Sequence, residues 1–109
     1  MELNEYQKKA MRTSPFKDKD DMLRHAVFGL TSEAGEVSGI LQKVYQGHAF
    51  DPDHLLKELG DCMWMIAEAC QAIDKTLDEC GQTNIDKLLK RYPDGFDSDH
   101  SLHREKGDI

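Results

Sequence analysis

Two pairs of acidic residues in this chain are spaced to act together. Glu33 with Glu36, and Glu58 with Asp61, each stand three residues apart. On a helix, residues three apart are neighbours on one face. Two such helices packed side by side would bring four carboxylates to one point. Carboxylates gathered in that way repel one another unless a cation holds them. An all-oxygen set suits a hard divalent ion, Mg2+ or in its place Mn2+. Such an ion commonly bridges to phosphates, polarises a phosphoryl oxygen and lowers the pKa of a bound water.

Spacing alone does not carry the claim. The chain has 21 Asp and Glu against 14 Lys and Arg, and the same spacing recurs at Glu2/Glu5, Asp18/Asp21, Asp94/Asp97 and Glu105/Asp108. Those four pairs lie near the termini or in polar connections, where a solvated charged face is the plain reading. The two chosen pairs differ in their neighbours. Leu30, Ala34 and Val37 flank the first, and Leu59 and Cys62 flank the second. Charge beside a buried face is costly unless it is paired. Surface acid pairs remain the alternative at this point.

A second group lies further along. Asn84, Lys87 and Arg91 run i, i+3, i+7 and share one helix face. Lys87 and Arg91 could grip phosphate oxygens, Arg91 through its bidentate fork. Asn84 could read a sugar hydroxyl or a base. The plainer reading is a solvated basic helix end, favoured there by the helix dipole. Three more residues are candidates for nucleotide contact. Trp64 either stacks on a base or belongs to the core. His25, two turns before Glu33, lines a pocket or lies on the helix surface. His54, one turn before Glu58, is placed to meet a phosphate. No G-x-x-x-x-G-K-[ST] loop and no nucleophilic Ser or Cys motif occurs. No E-x-x-H occurs either, which argues against a di-iron carboxylate bundle.

The elements that must position these residues are helical. Sustained two-residue alternation and Asn-Gly turns are absent. A first helix is expected over roughly residues 3–13, stopped by Ser14-Pro15. The second carries Leu23, Val27, Leu30, Ala34, Val37, Leu41 and Val44 at near-heptad spacing, with Gly47 as its stop. Gly29, Gly35 and Gly39 inside it suggest close approach of a helix or ligand. The third opens on Asp51-Pro52-Asp53 and buries Leu55, Leu59, Cys62, Ile66, Ala69 and Ile73. The fourth opens on the capping-box pattern Thr76-Leu-Asp-Glu79, with Ile85, Leu88 and Tyr92 on its apolar side. The expected fold is an all-α, four-helix bundle-like domain over residues 1–96, followed by a polar, mobile tail over 97–109.

Bulk properties bound the function. A chain of 109 residues is one domain with a modest core, which association would help. The net charge of −7 argues against a nucleic-acid polymer as partner. It does not exclude a free nucleotide that brings its own metal. Three cysteines without a C-x-x-C read as reduced thiols of a cytoplasmic protein. No apolar run reaches membrane-spanning length, so no membrane association is expected.

Three segments occur in a telling order: Leu30-Thr-Ser-Glu33-Ala-Gly-Glu36-Val, then Glu58-Leu-Gly-Asp61, then Asn84-Ile-Asp-Lys87-Leu-Leu-Lys-Arg91-Tyr-Pro93. Together they resemble the MazG-like family of all-α nucleoside triphosphate pyrophosphohydrolases, over roughly residues 20–96. The resemblance implies Mg2+ held by Glu33, Glu36, Glu58 and Asp61. It implies phosphate contacts from Lys87 and Arg91, and Asn84 near the nucleotide. It implies hydrolysis of a nucleoside triphosphate to monophosphate and pyrophosphate. Which carboxylate, if any, acts as general base stays open, and Glu36 is our candidate. A dimer or tetramer of this chain is implied as well. Some members carry an acid where this chain has Ser32, and some a lysine at the place of His54. House-cleaning of abnormal nucleotides, dCTP/dUTP control and broad deoxynucleotide hydrolysis all fit. The rival reading is a helical interaction module that keeps the scaffold without the catalysis.

Overall fold

A computed structural model describes all 109 residues. It contains five helices and no strand: α1 (Leu3–Met11), α2 (Lys19–Tyr45), α3 (Pro52–Ala72), α4 (Leu77–Arg91) and α5 (Ser98–Leu102). The all-α class holds, and α5 is an addition to the four expected helices. It falls in the segment read from sequence as a mobile tail. Asp97 opens it, accepting hydrogen bonds from the Asp99 and His100 backbone N–H groups.

Local chemistry sets the helix boundaries. Asp18 caps α2 by accepting from the Asp20 and Asp21 N–H groups at 2.9 and 3.1 Å. Asp51 caps α3 in the same way, accepting from Asp53 at 3.0 Å and His54 at 3.4 Å, with Pro52 at the first helical position. Gly47 ends α2 at φ 101°. Its N–H donates to Val44 O, and the His48 N–H donates back to Lys43 O, both at 3.0 Å. That pair of bonds is a Schellman motif, which needs a left-handed residue and so favours glycine.

The chain divides into two units, Met1–Leu77 and Asp78–Ile109. In the first, α2 and α3 run antiparallel. His25 meets Glu68, Gly29 meets Met65, and Glu33 meets Asp61, so numbers rise on one helix as they fall on the other. A Cβ built on Gly29 would lie 2.5 Å from the Met65 sulfur, so close approach is real at this position. At Gly35 and Gly39 such a Cβ meets nothing, and the close approach suggested by sequence is not found there. Helix α1 lies against α3, where Tyr6 and Met11 pack on Ala67, Cys70 and Leu77.

The expected apolar stripes are not the core of this unit. Val27, Leu30 and Leu41 of α2 are exposed, as are Leu59, Met63 and Ile66 of α3 and Ile73 just after it. The buried positions of α2 are Met22, Ala26 and Ile40, one residue round from the stripe. His25 and Glu68 pair across the α2–α3 seam, and Gly29 lets the two helices approach there. No helix is long and apolar enough to cross a membrane.

In the second unit Arg91 closes a bidentate pair on Asp108. Its Nε donates to one carboxylate oxygen at 2.8 Å and its Nη2 to the other at 2.7 Å. Tyr92 and Phe96 pack their rings 5.3 Å apart just beyond the helix end.

Candidate metal centre

Three of the four predicted acids come together. One carboxylate oxygen each from Glu33, Glu58 and Asp61 lie within 4.8 Å of one another. The antiparallel register produces this, since it sets the end of the fourth turn of α2 against the second and third turns of α3. Glu36, expected as the fourth member, lies outside this trio and lines an adjoining cavity of about 280 Å3.

The electrostatics match the crowding. The Glu33 carboxyl is pushed above its ordinary value by partial desolvation, and then by the charges of Asp61, Glu58 and Glu36. Each of these neighbouring charges disfavours the ionised form of Glu33. Tyr6 of α1 is pushed up as well, by burial and then by Asp61, which places α1 along the same edge. Three carboxylates at this spacing fit a hard divalent cation, which accepts all-oxygen ligation and completes its shell with water or phosphate. The donor set contains no thiol and no histidine, so it does not resemble a structural zinc site.

The predicted histidines have distinct places. His54, in the first turn of α3, has Nε2 3.3 Å from Glu58 Oε1, so it braces one of the trio. His25 is no free surface residue. Its Nδ1 lies 2.5 Å from Glu68 Oε1, and its ring centroid lies 4.8 Å from that of Phe16. Trp64 is tied to the α1 end, where its Nε1–H donates to Thr13 Oγ1 at 2.9 Å and Ala10 O at 3.2 Å. The tip of its ring is therefore committed to the fold. Asn84, Lys87 and Arg91 lie on α4 in the second unit. Asn84 and Lys87 are exposed, whereas Arg91 is held by Asp108.

Sequence reading missed Glu68. Its side chain is 0% exposed, and it accepts from Ser14 Oγ at 2.7 Å while pairing with His25. The signal was present: Glu58, Asp61, Met65 and Glu68 follow one helix face, and Glu68 stands a heptad beyond Asp61. Its role is to tie the α1–α2 connection and α2 to α3 just beyond the trio.

Comparison with known proteins shows the family. The sequence profile of the MazG nucleotide pyrophosphohydrolase domain matches residues 24–96. The chain belongs to the MazG family. The matched span holds all four predicted acids together with Asn84, Lys87 and Arg91. The MazG chain is also similar to the "Gene 37 protein" of Mycobacterium phage L5, at 31% identity over 83 residues, covering 72% of this chain and 73% of that protein. No solved structure matches it.

Proposed function

We propose that this MazG domain hydrolyses nucleoside triphosphates, deoxynucleotides foremost, to the monophosphate and pyrophosphate in a Mg2+-dependent reaction. The convergence of Glu33, Glu58 and Asp61 supports this reading. Glu33, Glu58 and Asp61 would hold the cation, with Glu36 beside them. Once bound, Mg2+ or Mn2+ supplies charge neutralisation for the triphosphate and for the oxyanions that develop as the anhydride breaks. The protein's own groups do the rest. His54 fixes the orientation of Glu58. Glu36, outside the trio and without a hydrogen-bonded partner, takes the proton from the attacking water. The water oxygen bonds to the α-phosphorus, the α–β anhydride bond breaks, and pyrophosphate leaves in line. Lys87 and Arg91 grip phosphate oxygens and Asn84 contacts the nucleotide. For Arg91 that means exchanging the Asp108 carboxylate for phosphate, which takes the same bidentate geometry. His25 and Trp64 frame the side of the seam away from His54, where a base would lie.

We further propose that the working form is a homo-oligomer, a dimer or tetramer. The apolar residues of α2 and α3 left exposed in the single chain are support for this, because a second copy could bury them. None of the three cysteines is in a disulfide, which is compatible with the cytoplasmic setting we propose.

The test is a panel of ribo- and deoxynucleotides incubated with the protein and Mg2+. Release of pyrophosphate is measured, and products are resolved by anion exchange. Monophosphate and pyrophosphate are expected; diphosphate and orthophosphate would show attack at the wrong bond. Glu36→Gln and Asp61→Asn are expected to abolish turnover. Wild-type turnover in both variants would remove the assignment.

A further inference from the structure

We propose that the cavity at the α2–α3 turn is a seat for the pyrophosphate half of the substrate, built from Lys43, His48 and His54. This rests on the pyrophosphohydrolase reading above and adds a site to it.

The seat follows from how the turn is made. The Schellman motif at Gly47 folds His48 back over the last turn of α2, with its N–H on Lys43 O at 3.0 Å. Lys43 and His48 both line the cavity there. Across the turn, the Asp51 cap starts α3 so that His54 falls in its first turn. The space between has a volume of about 280 Å3, and Glu36, Ile40 and Asp51 are among the residues that also line it. That is below the range of about 300–1,000 Å3 usual for drug-sized ligands, and suits a small anion.

The cavity adjoins the acid trio on both walls. Glu36 is one helical turn from Glu33, and His54 bridges to Glu58 at 3.3 Å. A phosphate chain anchored at the trio would extend into this space. Lys43 brings a fixed positive charge, and the His48 imidazole carries at least one N–H donor in any protonation state, while His54 is held on Glu58. The side chains of Lys43 and His48 make no hydrogen bond or ion pair within the chain. Asp51 is engaged in capping, which leaves Glu36 as the unpartnered acid of the lining. A bare anion would meet Glu36, and a bare cation would meet Lys43. A magnesium–pyrophosphate unit would satisfy both, with Glu36 and the trio to hold the cation and Lys43 and His48 to receive phosphate oxygens. The larger cavity of this unit, about 450 Å3 between α1 and the end of α3, has no such link to the acids.

The test uses the full chain with Mg2+ and inorganic pyrophosphate as the probe, titrated calorimetrically and as a product inhibitor of hydrolysis. Lys43→Gln is expected to weaken pyrophosphate about tenfold or more, as loss of a charge-assisted contact does. Lys43→Gln/His48→Ala should weaken it further. Lys43→Arg should retain most of the affinity, and binding of the monophosphate product should be unmoved throughout. Both positions are exposed, and melting temperatures check that folding is intact. An active enzyme whose pyrophosphate affinity ignores both substitutions overturns the seat and leaves the activity standing. Equal loss of monophosphate and pyrophosphate binding overturns it too. Lys43-dependent pyrophosphate binding in a protein that hydrolyses no nucleotide supports the seat and removes the activity.

Discussion

Replacing Glu33 by Gln should make the metal-free protein more stable and the metal-loaded protein comparatively less so. The three carboxylate oxygens lie within 4.8 Å of one another. At that distance one pair of unit charges repels by ~0.9 kcal/mol in bulk water and ~3.5 kcal/mol at an effective dielectric of 20. The residues are partly exposed, so screening keeps the cost near the lower figure. Glu33 faces two such neighbours, and its removal relieves about 2 kcal/mol. For a chain of this size that is a rise in Tm of about 8 °C in chelator. Mg2+ at a hundredfold over its Kd stabilises the wild type by ~2.7 kcal/mol, or about 10 °C, and should do little for the variant. The order of the two melting curves therefore inverts between EDTA and Mg2+. The sign against pH follows from the same repulsion. The raised Glu33 pKa means its contribution is full below the unfolded value and is lost as pH rises through the folded one. In chelator, wild-type Tm should climb as pH falls from 7 into that window, and Glu33→Gln should climb less. Circular-dichroism melts at several pH values measure all of this. A Glu33→Gln variant that melts lower than wild type in EDTA, or gains as much from Mg2+, refutes the reasoning.

Three other outcomes follow from the geometry. Glu68→Ala should cost about 3 kcal/mol in urea unfolding, because it opens a cavity and leaves Ser14 without its acceptor. Gly29→Ala should change stability by less than about 1 kcal/mol, since the flexible Met65 thioether can swing aside and alanine favours the helix, whereas Gly29→Leu should cost ~1–3 kcal/mol by overpacking the seam. Asp108 is held below the usual carboxylate range by Arg91, so its contribution is present above the unfolded pKa and lost as pH falls through the folded one. Asp108→Asn at neutral pH should accordingly abolish the exchange protection of the Arg91 Nε–H in NMR, as acid does in the wild type; unchanged protection would show that the pair does not hold the guanidinium.

How far the site was legible depended on what each residue needed. Helix class, the Asp51-Pro52 start and the Gly47 stop are local chemistry, so neighbouring residues specify them. The pairing of Glu33 with Glu58 and Asp61 needed only an antiparallel register and a shared face. The rotation of the buried face was not legible. Heptad spacing marks Leu23, Val27 and Leu30 as a stripe, yet it cannot say whether that stripe meets α3 or another copy of the chain. Helix α5 was missed because its five residues carry no apolar periodicity, only the Asp97 cap. The pairing of Arg91 with Asp108 joins residues seventeen apart, beyond the reach of any helical spacing rule.

The seam itself gives the strongest argument about what the acids are for. It contains two sets of carboxylates within two helical turns, and they are treated oppositely. Glu68 is fully buried and receives two donors from the chain, Ser14 Oγ and His25 Nδ1. Glu33, Glu58 and Asp61 have one another, with only His54 reaching Glu58. A seam selected for stability alone would treat both sets as it treats Glu68, since each unrelieved repulsion lowers Tm. Under the proposed Mg2+ site, repulsion that persists beside a fully satisfied carboxylate is the kind of cost that a divalent cation reverses. That is why the stability inversion of Glu33→Gln discriminates more sharply than loss of turnover. Many faults stop an enzyme, whereas gaining stability in chelator while losing the response to Mg2+ requires charges that face each other across the seam.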